Sequence, residues 1–229
     1  MNAINRDASV VCQTPRRMPV IFAVLYAAFL VASLVAVPIL APGARIPNPF
    51  GPEEASRNFV LNNPEAVRVT AFLQLASAMC LAALGAAIHS TQKGGRTHSF
   101  ASPLILAGSV GGSVLLAISA LCAWALASPG AVDPGSAFRT LQFLPFLMGG
   151  PGWAGFFALL MAGAALGGSG VLPRWAVWIG YFLALISALA TLVLLTINAA
   201  PCLPVARFLG FVWLIYAAVY ATPQTERAS

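Results

Sequence analysis

The sequence predicts an all-α polytopic membrane protein, six transmembrane helices in one bundle, and three observations lead there. First, the 229 residues are 59% hydrophobic and only 8% charged, whereas a soluble domain carries about a quarter charged residues. Second, six long gaps separate the charged residues: 18–44, 69–92, 97–132, 140–173, 175–206 and 208–225. Each is close to or above the ~20 residues a helix needs to cross the hydrocarbon core. Third, a proline marks the start of every expected helix (Pro19, Pro64, Pro103, Pro134, Pro173 and Pro204), a position where its missing N–H would be unbonded anyway. Disorder and collagen-like repeats conflict with the abundance of apolar residues and with 20 glycines of no threefold period. A β-barrel would need alternating segments of about ten residues, and Val20-Ile21-Phe22-Ala23-Val24-Leu25 does not alternate.

Residues 1–17 read as a short cytoplasmic tail. The first helix, 19–41, follows Arg16-Arg17 and ends in small residues near Ala41-Pro42-Gly43-Ala44. Its apolar run exceeds the roughly 7–15 residues of a cleaved signal sequence, so it is expected as a retained signal anchor. The connection 42–63 contains a predicted short interfacial helix, 52–61. Pro52 starts it, Glu53 and Glu54 fall in its first turn where the macrodipole favours acids, and Asn62-Asn63 follow it. Phe59, Val60 and Leu61 are expected to enter the acyl boundary. The second helix, 64–90, has Asn63 as its expected N-cap, and the third, 103–127, follows Ser102.

The fourth helix, 134–167, is too long: 34 residues span about 51 Å at 1.5 Å each against a core of roughly 30 Å. Within it lies Leu144-Pro145-Phe146-Leu147-Met148-Gly149-Gly150-Pro151-Gly152-Trp153. Proline inside a helix removes a backbone bond and clashes with the preceding turn. A break or kink near 149–152 reconciles length with thickness, and irregular backbone at that depth is tolerated where it is buried in protein or lines a wet cavity. The fifth and sixth helices are expected over 173–199 and 204–221, with 222–229 as a second cytoplasmic tail.

Lys and Arg set the orientation. With the N-terminus inside, Arg6, Arg16, Arg17, Lys93, Arg96, Arg174 and Arg227 are cytoplasmic, against Arg45, Arg57, Arg68, Arg139 and Arg207 outside. Seven against five places both termini in the cytoplasm, in a cell (inner) membrane. Small residues at spacings of four (Ala78, Ala82 and Ala86; Gly108 and Gly112; Gly163 and Gly167; Gly180, Ala184 and Ala188) provide close-packing faces. Trp124, Trp175, Trp178 and Tyr220 fall near helix ends, as in aromatic belts. Arg68-x-x-x-Phe72-Leu73 and Arg139-x-x-x-Phe143-Leu144 form a faint internal echo of a duplicated hairpin.

Polar residues gather in the outward halves of the helices. Gln74, Arg139, Gln142 and Asn198 are expected to line an outward-facing cavity, with Gly149, Gly150 and Trp153 of the fourth helix as its wall; these seven are the ligand-binding candidates. Arg68, Arg139 and Arg207 are also positioned to snorkel toward phosphates. Haem is disfavoured because the two histidines, His89 and His98, lie at a helix end and in a loop. A retinal Schiff base lacks a helical lysine, since Lys93 is in a connection. All six acids lie outside the expected core, which argues against ion coupling. Gly167-Gly168-Ser169-Gly170 resembles a serine-nucleophile string, but no histidine follows it in the chain. Cys12, Cys80, Cys122 and Cys202 form no C-x-x-C pair, so no metal or cofactor is expected. Cys122 and Cys202 share the outer side, where a disulfide is chemically permitted, but small-residue packing is the favoured role for Cys80 and Cys122.

Leu172-Pro173-Arg174-Trp175-x-x-Trp178-x-Gly180 and Leu203-Pro204-x-x-Arg207-Phe208-Leu209-Gly210-x-x-Trp213-Leu214-Ile215 resemble a bacterial family of six-helix membrane proteins known only as a domain of unknown function. The likeness spans about residues 18–221 and implies a fold and no activity. From the residues, the expected role is a structural or accessory subunit, or a binder of a lipid or small apolar ligand, without catalytic groups. The expected partners are membrane lipids, an apolar small molecule or another membrane subunit, and not nucleic acid. The alternatives are an interfacial enzyme acting on a lipid or isoprenoid, of terpene-cyclase-like plan, with Glu53, Glu54 or Asp133 as its acids, and a facilitator of an uncharged solute gated by the fourth helix.

Overall fold

The computed structural model describes residues 17–92, 100–128, 130–131 and 137–221. Among them the chain is helical without strands, and six helices are long and apolar enough to cross a membrane. In chain order they are α1 (Met18–Leu40), α3 (Pro64–Gln92), α4 (Ala101–Leu126), the composite fourth span Phe138–Gly167, α7 (Arg174–Ala190) with the turns that follow it, and α8 (Cys202–Ala221). A shorter α2 (Glu53–Asn62) lies in the first connection. The fourth span consists of α5 (Phe138–Leu147), a five-residue π-turn (Met148–Gly152) and α6 (Trp153–Gly167).

Each span packs beside the next in sequence, and α8 returns to α1, so the bundle is a closed up-and-down ring. α6 leans furthest inward: nine of its 15 residues are buried, and it touches α3, α4, α7 and α8. An aromatic column runs through the centre. Trp153 stacks on Phe157 at 4.5 Å, Phe157 meets Phe211 edge-on at 6.4 Å, and Phe211 meets Tyr26 edge-on at 4.9 Å. Across the spans only 33–44% of the most apolar window is buried, yet the outward side chains are apolar too: Ile21, Val31, Leu121, Phe182 and Val212 are all exposed. Hydrocarbon, not water, is the solvent that accommodates such a surface, so the protein is a multi-pass membrane protein. Trp124, Trp175, Trp178 and Tyr220 are exposed on this surface.

Several elements differ from the sequence expectation. The irregularity expected near 149–152 is a π-turn over Met148–Gly152 and not a break. Pro151 has no N–H to give the Leu147 carbonyl, and the helix continues by widening one turn: the Trp153 amide closes on Met148 O, as in a π-helix, and also reaches Gly150 O. The fifth span is α-helical only to Ala190; Thr191–Leu194 and Ile197–Ala199 are 3-10 turns. The Thr191 hydroxyl bonds back to Ala188 O at 2.6 Å, competing with the helical ladder. α8 begins at Cys202, which places Pro204 inside its first turn.

α2 does not offer Phe59, Val60 and Leu61 together to an outer phase. Val60 is buried with Leu126, Ala127 and Phe138, while Leu61 stays exposed. The helix therefore caps one end of the bundle. Asn63 closes α2, its side-chain amide donating to Phe59 O at 3.0 Å. Cys80, Cys122 and Cys202 are free thiols, so Cys122 and Cys202 do not pair. Both expected tails fall outside the described residues except Arg17, as do Pro134, Lys93 and His98.

Candidate functional site

The π-turn is the natural place to begin, because a widened turn leaves backbone carbonyls without their α-helical donors. Two side chains from other spans donate to carbonyls here: one adds to Pro145 O, which the Met148 N–H also bonds, and one supplies Gly149 O, as irregular backbone inside a membrane requires. On one side, the Ser119 hydroxyl of α4 donates to Pro145 O at 2.8 Å, and the Gln74 amide of α3 reaches the Ser119 oxygen at 3.5 Å. On the other, the Arg207 guanidinium of α8 donates through Nη2 to Gly149 O. The Trp153 amide, which in an α-helix would bond Gly149 O, has gone to its neighbours.

Gly149 is buried between these groups. A Cβ there would stand 2.5 Å from the Ser119 oxygen and 3.3 Å from the Gln74 amide nitrogen, so only glycine lets α3, α4 and the π-turn meet this closely.

Arg207 also lies over the Trp153 ring, 4.5 Å from guanidinium carbon to ring centroid. This corrects the expectation that it snorkels outward. Five residues into α8, about 7.5 Å along the axis, it turns inward and joins a buried cluster with Trp153 of α6 and Tyr26 of α1, whose hydroxyl interacts electrostatically with it. Tyr26 and Trp153 are 1% and 0% exposed. Within this cluster Arg207 Nε is buried without a hydrogen-bond partner among the described residues, and the Trp153 indole N–H and Tyr26 hydroxyl, both buried, lie beside each other as a polar pair short of an aligned hydrogen bond. Nor does any described carboxylate pair with Arg207; Glu53 is engaged by Arg57 at 2.7 Å. A cation held in the span over an indole, with unused donors beside it, is an arrangement that costs several kcal/mol unless an acceptor completes it.

The candidate residues therefore separate into three places. Gln74, Gly149 and Trp153 belong to the cluster around the π-turn, and Gly150 stands at its edge, its missing Cβ facing Leu203 and Phe146 at 3.7–3.9 Å. Arg139 and Gln142 belong to the cap. Arg139 donates to Gly51 O at 2.9 Å and stacks over Phe143, while Gln142 donates to Ser56 Oγ at 2.8 Å and Pro49 O at 3.3 Å. Phe50 packs on Phe143 and Phe146 in the same region. Arg68 likewise ends on a backbone carbonyl, Ala127 O at 2.9 Å. Asn198 is exposed in the last 3-10 turn, where its backbone N–H bonds the Thr196 hydroxyl. The four polar residues expected to line one cavity are thus divided, because two of them fasten a loop and one faces away.

Of the rim acids, Glu53 is half-exposed and paired, Glu54 is exposed, and Asp133 lies outside the described residues. Among the described residues no three of His, Cys, Asp and Glu come together as metal ligands. Sequence reasoning missed Ser119, Tyr26 and the inward turn of Arg207. Ser119 and Tyr26 had one available signal, a hydroxyl-bearing residue on an otherwise apolar helix face. Compared with protein-family models, curated proteins and solved structures, the chain finds no match, so the fold and the site described above stand on their own geometry.

Proposed function

We propose that this protein binds a lipid or small amphiphilic ligand within its bundle, alone or as the accessory subunit of a larger membrane assembly, and that it works by binding rather than turnover. One observation carries the reading: three buried polar atoms, on Tyr26, Trp153 and Arg207, belong to one cluster beside the π-turn and lack aligned hydrogen bonds to the protein. Polar groups in a span that face the bundle interior mark ligand paths more often than they add stability. The excess of Lys and Arg on the side of the chain termini supports a cytoplasmic position for both ends and a bacterial-type inner membrane as the site of residence.

The test is native mass spectrometry of the full chain released from mild detergent. A retained adduct of lipid mass, lost in a Gly149→Ala variant that remains monodisperse, is the expected result. Bare protein under conditions that preserve other lipid adducts would overturn the reading. The amide variants Glu53→Gln, Glu54→Gln and Asp133→Asn should leave the adduct in place, whereas an enzyme using rim acids would lose turnover.

A further inference from the structure

We infer that Arg207, Trp153 and Tyr26 form a head-group site for the oxyanion of a singly charged amphiphile, either a fatty-acid carboxylate or a phospholipid phosphodiester. The inference rests on the ligand-binding reading above and names the chemistry of the ligand.

The polar inventory decides the sign. Arg207 Nε and Trp153 Nε1 are donors only, and the Tyr26 hydroxyl can donate even where the neighbouring indole N–H turns to its oxygen; all three are buried without an aligned hydrogen bond. A guest that satisfies these donors must accept hydrogen bonds beside a cation, which is what an oxyanion does and an ammonium group or an alkyl chain cannot. The charge count sets the magnitude. One guanidinium enters the cluster, and no described carboxylate pairs with it. A monoanion neutralises it, whereas a dianion would leave a bare charge in the span.

The Gly149 carbonyl holds Nη2 and the Trp153 face holds the plane of the guanidinium, so the head group meets a donor set that is already oriented. Arg207 lies about 7.5 Å along α8 from its start, inside the sixth apolar span. α8 packs mainly on α7 and α1, and it meets the fourth span at Gly149, Gly150 and Phe157. Its exposed side, with Val205, Phe208, Leu209 and Val212, is an apolar surface along which an acyl chain can lie.

The experiment uses the full chain in detergent micelles and two pairs of probes: palmitate with hexadecanol, and dioleoylphosphatidylglycerol with dioleoylglycerol. Affinity is measured by quenching of tryptophan fluorescence and by adduct counting in native mass spectrometry. In at least one pair the anion should bind wild-type protein about tenfold or more tightly than its neutral analogue, the scale of one charge-assisted hydrogen bond. That preference should vanish in Arg207→Gln, and the pair that shows it identifies the head group.

Trp153→Phe keeps an aromatic ring on Phe157 and removes the indole N–H together with its five-membered ring. It should weaken the anion several-fold and leave the neutral analogue unchanged, which serves as the test where Arg207→Gln does not fold. Equal binding of anion and neutral analogue in both pairs would overturn the oxyanion assignment while leaving amphiphile binding intact. A wild-type protein that binds none of the four would overturn both. A preference that survives both substitutions would place the site elsewhere and refute the assignment.

Discussion

Gly108 and Gly112 share one face of α4 and differ by a single helical turn, yet adding a methyl group should have opposite effects at the two positions. At Gly108 the new Cβ would fall on the Leu160 amide nitrogen of α6, 2.7 Å from Phe156 O and 2.8 Å from Leu160 Cα. All three are backbone atoms, which cannot rotate away, so α4 and α6 would have to part by about 1 Å in a region packed as densely as a crystal. Overpacking of this kind costs about 1–3 kcal/mol, here at the upper end, and the better helix propensity of alanine returns about 1 kcal/mol. Gly108→Ala should therefore lose about 2 kcal/mol.

At Gly112 the nearest atoms are side-chain carbons of Leu81, Phe156 and Trp153 at 3.5–3.7 Å, ordinary contact distances. Gly112→Ala should be neutral or gain up to about 1 kcal/mol. Reversible unfolding of each variant in mixed micelles of rising dodecyl sulfate fraction, followed by far-ultraviolet circular dichroism, measures both. A Gly108→Ala protein as stable as wild type, or two variants shifted alike, would refute the idea that α4 and α6 touch backbone to backbone at Gly108 and not at Gly112.

Other substitutions probe the site and the cap. Gly149→Ala should displace Ser119 from Pro145 O and destabilise the fold by about 1–3 kcal/mol, measured in the same unfolding assay. Gln142→Ala removes the donor to Ser56 Oγ and Pro49 O and should speed amide hydrogen exchange across residues 48–58 while leaving α6 unchanged. Trp213→Phe removes the indole donor that adds to the helical bond of Ala176 O, at 2.8 Å, and leaves a smaller ring in a buried place, so it should cost about 1–3 kcal/mol. Glu53→Gln breaks only the half-exposed i,i+4 pair with Arg57 and should shift stability by less than about 0.5 kcal/mol, a change within the error of a thermal melt.

The spans were legible because the requirement they meet is one of length and polarity, and both can be read from a one-dimensional string. The same holds for the anomaly at Pro145 and Pro151, although the string does not distinguish a broken helix from a widened one. That choice was made by neighbours, Ser119 and Arg207, whose donors satisfy the carbonyls of a continuous turn. Direction was the property that could not be read. Arg207 and Arg139 both lie near a helix start on the same side, and only the packing around them determines that one turns into the core and the other onto a loop. Asn198 shows the converse: its position was close to the expected level, but the fifth helix ended eight residues before it, at Ala190, so its side chain faces outward.

The fastening of the first long connection bears on how the chain is made. Gly51 and Pro49 take their bonds from residues 88 and 93 positions further along, so the ribosome has delivered three spans before the groups that secure this connection exist. Until then Phe50 and Val60 have no α5 to rest against, and the young hairpin is a segment for insertion factors or proteases to meet. The ring of six spans closes only when α8 brings Phe211 to Tyr26 of α1, a contact that spans 185 positions of the chain.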